Sequence, residues 1–198
     1  MKLTRGAATW AKVRGLAGRN APETATHYLV DEARRDADPL HGALHDPVTG
    51  LPERALLLDR IALAMARARR KDEEVALLLL AVEDVEALRV RLGGSQGDRV
   101  LRDVAERIAR GVRDTDTVAR FGPADFAVLC EGIADRDTLM LVAGRIASNL
   151  AAPYAVRFGS LDLDIGMELL MVGGETPPLA FLDMADDAVA ETRRRTAD

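Results

Sequence analysis

Two β-rich apolar runs on either side of a four-residue gap constrain the fold of this chain more than any other stretch. The runs are Thr117–Phe121 and Phe126–Cys130, and the gap between them is Gly122-Pro123-Ala124-Asp125. Gly and Pro in a short gap between such runs indicate a tight turn joining antiparallel strands. The sequence therefore predicts a β-hairpin over residues 117–130, with Pro123 at the second position of its turn.

Apolar periodicity predicts alternating helices and strands around this hairpin. The uninterrupted apolar run Val75–Val82 is typical of a strand buried on both faces. The other predicted elements are a helix with Pro52 in its first turn, helices over Asp98–Val112, Asp137–Leu150 and Leu179–Arg195, and strands over Tyr154–Phe158 and Leu161–Leu170.

Composition argues against several classes of protein. The chain has 198 residues and a net charge of −5, which does not favour a nucleic-acid-binding domain. No apolar run approaches the roughly 20 residues that span a bilayer. Cys130 is the single cysteine, so no disulfide framework or cysteine zinc site forms within one chain, and His27, His41 and His45 are interpreted as surface imidazoles. We expect a cytoplasmic protein without a cofactor, a membrane span or a nucleic-acid partner.

The first 42 residues are predicted to precede the domain as a tail and a lead-in helix. The segment Glu23–Asp38 has helical spacing of apolar residues, and Pro39 should end it. The basic residues before Glu23 fit either a solvated tail or an amphipathic helix around Trp10 that touches a membrane or a partner. The domain itself is expected at residues 43–198.

The hairpin and other stretches in the same order resemble GGDEF domains, the diguanylate cyclases that join two GTP into cyclic di-GMP. The resemblance covers about residues 43–195, and it is carried by His45–Arg54, Ala81–Asp98, Arg120–Phe126, Asp164–Gly166 and Ala185-Asp186. It implies an α/β fold of the nucleotidyl-cyclase kind, in which helices flank a central, mostly antiparallel sheet. At the family's Gly-Gly-Asp/Glu-Glu-Phe turn, Gly122 and Phe126 agree, whereas Pro123, Ala124 and Asp125 depart.

The departures fall at positions where the family touches metal and GTP. Two metal ions held by carboxylates neutralise the charge that develops in the cyclase reaction, and Ala81 and Ala124 stand at the matching carboxylate positions. Glu86 and Arg89 replace a phosphate-contacting Lys and a guanine-contacting Asn. The resemblance therefore implies an inactive hairpin beside a vestigial nucleotide pocket, whose remaining residues are Glu83, Asp98 and Arg193.

A different site of the family matches better. Arg113-Asp114-Thr115-Asp116 is an Arg-x-x-Asp at the place where GGDEF domains carry a product-binding inhibitory site, and Arg145 falls at the family's auxiliary arginine. Arg can fork a phosphate or a guanine edge, and Asp can accept from guanine N–H groups. A solvated salt bridge between Arg113 and Asp116 is the alternative interpretation. Arg35-x-x-Asp38 has the same spacing without a following hairpin.

Three functions follow from these patterns. The leading hypothesis is a catalytically inactive GGDEF domain that responds to cyclic di-GMP through Arg113, Asp116 and Arg145. The first alternative is a module for homodimerisation or partner docking through the N-terminal helix, without nucleotide. The second alternative is a residual cyclase that holds one metal between Glu83 and Asp125.

Overall fold

The computed structural model describes residues 44–196 apart from Asp84, Ala134 and Phe158. This part of the chain forms five helices and six strands. In chain order they are α1 Arg54–Lys71, β1 Glu74–Val82, α2 Val85–Leu92, α3 Gly94–Ala109, β2 Thr117–Arg120, β3 Asp125–Ile133, α4 Arg136–Leu150, β4 Tyr154–Val156, β5 Gly159–Leu161, β6 Ile165–Gly173 and α5 Pro178–Thr196.

Four strands form one antiparallel sheet in the order β2-β3-β1-β6. The apolar run predicted as a doubly buried strand is β1, and it pairs with β3 on one side and β6 on the other. The predicted hairpin is β2 and β3, in which Thr117 faces Leu129 and Arg120 faces Phe126. Strands β4 and β5 form a separate two-stranded sheet. The predicted α/β class with a central antiparallel sheet is confirmed.

Helices cover both faces of the sheet because the side chains of β1 alternate between two apolar cores. Leu77 faces the core made with α1 and α5, and Leu78 faces the core made with α3 and α4. Neither leucine has any exposed surface. Full burial of such a side chain stabilises a fold by roughly 1.5–3 kcal/mol. The alternation therefore determines which helices pack on which side.

The first helix begins later than the sequence predicts. The sequence predicts Pro52 in its first turn, but α1 starts at Arg54 with Glu53 in an extended conformation. The carbonyl of Pro52 accepts a hydrogen bond from the Arg120 N–H at 2.7 Å, and Glu53 forms a parallel bridge with Arg120. Pairing with the hairpin keeps this segment extended, a long-range effect that local helix signals do not contain.

Two further boundaries differ from the predictions. The predicted helix Asp98–Val112 runs from Gly94 to Ala109, with Gly93 at a φ of 84° before it. The predicted strand Leu161–Leu170 is divided, since β5 ends at Leu161 and β6 begins at Ile165. The Asp164 carbonyl accepts the Glu83 N–H at 2.9 Å just before β6. The predicted lead-in helix, Trp10, His27 and His41 lie outside the described residues.

Candidate functional site

The turn between β2 and β3 is closed by its own backbone. The N–H groups of Phe121 and Gly122 donate to the Asp125 carbonyl at 2.9 and 3.2 Å, and the Asp125 N–H points back to the Gly122 carbonyl at 3.4 Å. A Cβ on Gly122 would overlap Oδ2 of Asp125. A side chain at this position would therefore have to displace the Asp125 carboxylate.

Asp125, the one carboxylate among residues 122–125, is buried. Its residue exposure is 7%, and Oδ1 accepts a hydrogen bond from Nη2 of Arg193 in α5 at 2.6 Å. In the strand register Asp125 lies opposite Ala81 of β1. The carboxylate that remains at this hairpin therefore has a cation supplied by the chain itself.

Ala81 and Ala124, which the resemblance aligns with carboxylate positions, are both buried. Ala81 packs in the core with α1 and α5, and Ala124 packs in the core with α3 and α4. Neither side chain can ligate a cation. Within residues 44–196, excluding the three undescribed positions, no group of three or more His, Cys, Asp or Glu side chains could hold a metal ion.

The residues of the expected vestigial pocket form separate contacts. Asp98 accepts from Nη2 of Arg89 at 2.6 Å, whereas Arg193 pairs with Asp125. Glu83 follows β1 directly and donates its N–H to the Asp164 carbonyl. The side chain of Glu86 lies outside the described part of the chain. The carboxylates of Asp98 and Asp125 are thus each paired with an arginine of the same chain.

Arg120 is a buried cation that no sequence pattern indicated as a site residue. Its guanidinium lies 4.7 Å from the centre of the Phe126 ring, and Nη2 donates to the Pro123 carbonyl. Burial lowers the pKa of Arg120, and the charges of Asp46 and Asp125 oppose that shift. Its position within an otherwise apolar strand was the available signal, because such a charge must be held by groups from elsewhere in the fold.

The Arg113–Asp116 loop has a geometry different from a simple salt bridge. The Arg113 backbone N–H donates to Asp116 Oδ2 at 2.9 Å, and the Asp116 N–H donates to the Arg113 carbonyl at 3.0 Å. Within the described residues the two side chains form no ion pair with each other. The predicted alternative of a solvated side-chain salt bridge therefore does not describe this loop.

The carboxylate of Asp116 is incompletely satisfied. Its Oδ1 is buried without a hydrogen-bond partner in the described part of the chain. Burial raises the pKa of Asp116, while the Arg113 N–H and the charges of Arg113 and Arg145 lower it. The backbone N–H of Glu131 also lowers this pKa. The fold thus places both Arg113 and Arg145 within electrostatic reach of Asp116.

Gly111 explains how the loop comes close to Arg145 on α4. A Cβ at Gly111 would lie 2.6 Å from Cγ1 and 3.1 Å from Cα of Ile146, the residue after Arg145. The absence of a side chain lets the end of α3 pack directly against α4. The same electrostatic group surrounds Cys130, whose pKa is raised to about 12, chiefly by burial.

A pocket of about 500 Å³ opens beside Asp116. Its wall includes Asp116 and three basic residues of α1, which are Arg60, Arg67 and Lys71. Arg67 is paired with Glu131 at 2.8 Å. Arg113 and Arg145 are not part of this wall. The basic residues on α1 were missed by the sequence analysis, although their seven- and four-residue spacing predicts a common helix face.

The sequence of the described domain also matches a known protein family. A sequence profile described as "Diguanylate cyclase, GGDEF domain" matches residues 43–198. The chain therefore belongs to the GGDEF domain family. None of the helices described here is long and apolar enough to cross a membrane.

Individual relatives narrow the comparison. The chain is 34% identical over 170 residues to the diguanylate cyclase TpbB of Pseudomonas aeruginosa. The aligned region covers 84% of this chain and 38% of TpbB. It is 30% identical over 170 residues to the response regulator PleD of Caulobacter vibrioides, covering 83% of this chain and 37% of PleD. The chain thus spans less than two-fifths of the length of either relative.

Solved structures agree with this family. The isolated GGDEF domain of TpbB from P. aeruginosa is similar with a TM-score of 0.70 and 30% identity, over 76% of this chain and 89% of that domain. DgcB from Caulobacter crescentus, solved with its coiled coil in complex with c-di-GMP, has a TM-score of 0.69 and 21% identity, over 84% of this chain and 86% of that one. The second similarity concerns the fold alone.

Proposed function

We propose that this chain is a catalytically inactive GGDEF domain that acts as a cyclic di-GMP receptor through Arg113, Asp116 and Arg145. We further propose that residues 43–198 form this domain and that residues 1–42 precede it as a tail and a lead-in helix. The proposal has two independent parts, the loss of catalysis and the retention of ligand binding.

The loss of catalysis rests on the two buried alanines, Ala81 and Ala124. Losing one preorganised charge stabiliser costs on the order of 10²–10³ in rate, and here the groups that would hold the metal are themselves absent. Pro123 also removes a backbone N–H from the turn. Asp125 is already neutralised by Arg193 at 2.6 Å.

The unpartnered Oδ1 of Asp116 is the observation that carries the receptor part. A buried acceptor without a partner is costly, and a ligand N–H would satisfy it. The edge of a guanine base supplies such donors. Arg113 and Arg145 lie within electrostatic reach, and a guanidinium can donate two parallel hydrogen bonds to a phosphate or to a guanine edge.

Residual cyclase activity is a second candidate, because the 34%-identical relative TpbB is named a diguanylate cyclase. It would use Glu83 and Asp125 as a single metal site. The ion pair between Asp125 and Arg193 opposes this candidate, since a metal would have to displace the guanidinium. Turnover of GTP separates the two functions.

Calorimetric titration with cyclic di-GMP tests the receptor function. We expect micromolar binding, which corresponds to about −8 kcal/mol. Arg113→Ala and Asp116→Ala should each weaken binding about tenfold or more, because charge-assisted hydrogen bonds contribute roughly 1.5–3 kcal/mol each. Arg145→Ala should weaken it in the same direction.

Arg35→Ala is the matched control, since Arg35-x-x-Asp38 has the same spacing. It should leave the affinity unchanged. Equal losses from Arg35→Ala and Arg113→Ala would indicate general charge attraction. An absence of binding would favour a nucleotide-independent docking module instead.

A further inference from the structure

The chain that leaves α3 packs against α4 at a glycine. A Cβ on Gly111 would lie 2.6 Å from Cγ1, 3.1 Å from Cα and 3.2 Å from the backbone nitrogen of Ile146. Carbon atoms that are not bonded to each other normally stay about 3.5–4.0 Å apart. An alanine at residue 111 would therefore need about 1 Å more space between the loop and α4.

Space, rather than backbone conformation, is the reason for a glycine at residue 111. In the described part of the chain, the glycines with a positive φ are Gly50, Gly93, Gly132 and Gly159, so Gly111 is not one of them. Ile146 has no exposed surface and lies in the core made with α3 and α4. A side chain in a close-packed core has no free volume to move into. An added methyl group at residue 111 would therefore push the loop away from α4.

A second contact shows how α3 and α4 run past each other. Nδ2 of Asn149 donates to the Arg107 carbonyl at 3.2 Å. From this contact to the one at Gly111 the chain advances along α3 but goes back along α4, so the two helices are antiparallel here. Arg113 follows Gly111 by two residues, and Arg145 precedes by one the α4 residue that Gly111 meets. The glycine contact is therefore next in sequence to both arginines of the proposed site.

The proposed site is divided between these two elements. Arg113 and Asp116 belong to the loop after α3, whereas Arg145 belongs to α4. Burial raises the pKa of Asp116, and the charges of Arg113 and Arg145 lower it, so both arginines act on this carboxylate across the junction. A binding site loses affinity when its groups are displaced by more than about 0.5 Å. The spacing between loop and helix is therefore critical for the site.

We propose that Gly111 is a positioning residue, which holds Arg113 and Asp116 at the distance from Arg145 that ligand binding requires. This inference rests on the proposed cyclic di-GMP site, and it adds a residue that does not itself touch the ligand. A side chain at residue 111 separates the two halves of the site without removing any of its hydrogen-bonding groups.

The coupling between Arg145 and Asp116 tests this proposal without a ligand. The ¹³C resonance of the Asp116 carboxyl carbon, followed through a pH titration of the full chain, reports its pKa. Arg145→Gln should raise this pKa, because it removes a nearby positive charge. In the Gly111→Ala background the same substitution should produce a rise about a quarter smaller, since the charges are then about 1 Å farther apart.

Affinity for cyclic di-GMP, measured by calorimetry, is the second test. Gly111→Ala should weaken binding about tenfold, the usual effect of losing one charge-assisted contact. Adding Ile146→Ala should restore most of the affinity, because it removes the Cγ1 atom that the new methyl group meets. The double variant should remain less stable than the wild type, since it lacks a buried side chain. Recovered affinity in a destabilised protein distinguishes positioning from a general loss of structure.

Gly94→Ala is the matched control, since a Cβ on Gly94, the first residue of α3, meets nothing within 4 Å. It should bind cyclic di-GMP as the wild type does. If Gly111→Ala alone fails to fold, folding and binding by the double variant support the proposal, and a double variant that folds without binding contradicts it.

The proposal is wrong if Gly111→Ala keeps the wild-type affinity or if the double variant binds no better than Gly111→Ala. It is also wrong if Arg145→Gln changes the pKa of Asp116 equally in both backgrounds. If the wild-type chain binds no cyclic di-GMP, the proposed function is wrong, and the comparison of pKa values alone decides whether Gly111 positions these groups.

Discussion

Arg193 and Asp125 form an ion pair at 2.6 Å although 68 residues separate them in the chain. The pair joins the last turns of α5 to the β2–β3 turn. The Asp125 side chain is 10% exposed and that of Arg193 is 40% exposed, so the contact lies at the boundary between core and solvent. The geometry of the hairpin consequently depends on the C-terminal helix.

Arg193→Gln should destabilise the domain by about 2 kcal/mol, because it leaves a buried carboxylate without its cation. The expected value is below that of a fully buried pair, since solvent screens the exposed part of Arg193. Chemical denaturation measures the loss, and hydrogen exchange should localise it to residues 121–126.

Arg194→Gln is the control for that measurement. Arg194 is the next residue along the helix, and it pairs with Glu191 on the surface at 2.7 Å. Such exposed pairs contribute little, so the change should stay below about 0.5 kcal/mol. Equal destabilisation by Arg193→Gln and Arg194→Gln would mean that the ion pair with Asp125 stabilises the domain no more than an exposed pair does.

Purified protein should make no cyclic di-GMP from GTP with magnesium or manganese, because Ala81 and Ala124 cannot hold metal. Product is measured by chromatography against a control without enzyme. Turnover that Glu83→Gln abolishes would instead support a metal site at Glu83 and Asp125. Joint replacement by Ala81→Asp and Ala124→Asp should restore little activity, since Arg89 remains paired with Asp98.

Asp116→Asn should stabilise the domain by about 1 kcal/mol at pH 7, because it removes the cost of a half-buried carboxylate whose Oδ1 is unsatisfied. Burial raises the pKa of Asp116 above its ordinary value of 3.8, so the folded state holds this proton more tightly than the unfolded chain does. The stability gained from this tighter proton binding is fully present below pH 3.8, and it is lost as the pH rises through the pKa of Asp116 in the folded state. The gain from Asp116→Asn should therefore be larger at pH 7 than at pH 3.

Denaturation at the two pH values measures this difference. Asp114 is an exposed residue of the same loop. The control substitution Asp114→Asn should therefore have the same small effect on stability at pH 3 and at pH 7. A gain from Asp116→Asn that is the same at pH 3 and pH 7 would contradict the assignment. The same substitution should weaken cyclic di-GMP binding, so stability and affinity change in opposite directions.

Gly174→Ala should destabilise the domain by roughly 1–3 kcal/mol through overpacking. A Cβ at Gly174 would lie 2.5 Å from the Arg69 backbone nitrogen and 3.0 Å from the Met65 carbonyl oxygen, and backbone cannot move aside cheaply. Gly173→Ala is the control, because a Cβ there meets nothing within 4 Å. Thermal unfolding of the two variants compares them, and similar melting temperatures would argue against close packing of α1 on this turn.

The elements with strong local patterns could be predicted from the sequence. The strand β1 has an uninterrupted apolar run, and the hairpin has Gly122-Pro123 between two β-rich segments, so each was found at nearly its observed position. The start of α1 could not be predicted, because the Arg120 N–H holds the Pro52 carbonyl across more than sixty residues of chain. Local signals favour a helix there, and a distant hydrogen bond overrides them.

The candidate sites, too, could be predicted from the sequence only in part. The Arg113–Asp116 spacing is visible in the sequence, whereas the backbone contact that replaces their salt bridge depends on the shape of the loop. The burial of Arg120 could be predicted only in part, since it results from groups on several separate elements. Charged residues inside apolar strands are the signal that could have indicated such a site.

The central position of β1 has a consequence for how the chain acquires its structure. Leu78 of β1 pairs with Val128 of β3 and with Leu169 of β6, so both ladders join residues far apart in sequence. Pairings of this kind require large loops to close first, which slows folding. During synthesis β1 emerges well before β3 and β6, and its apolar side chains stay exposed until these strands pair with it. We therefore expect nascent chains that end before β6 to be held by chaperones.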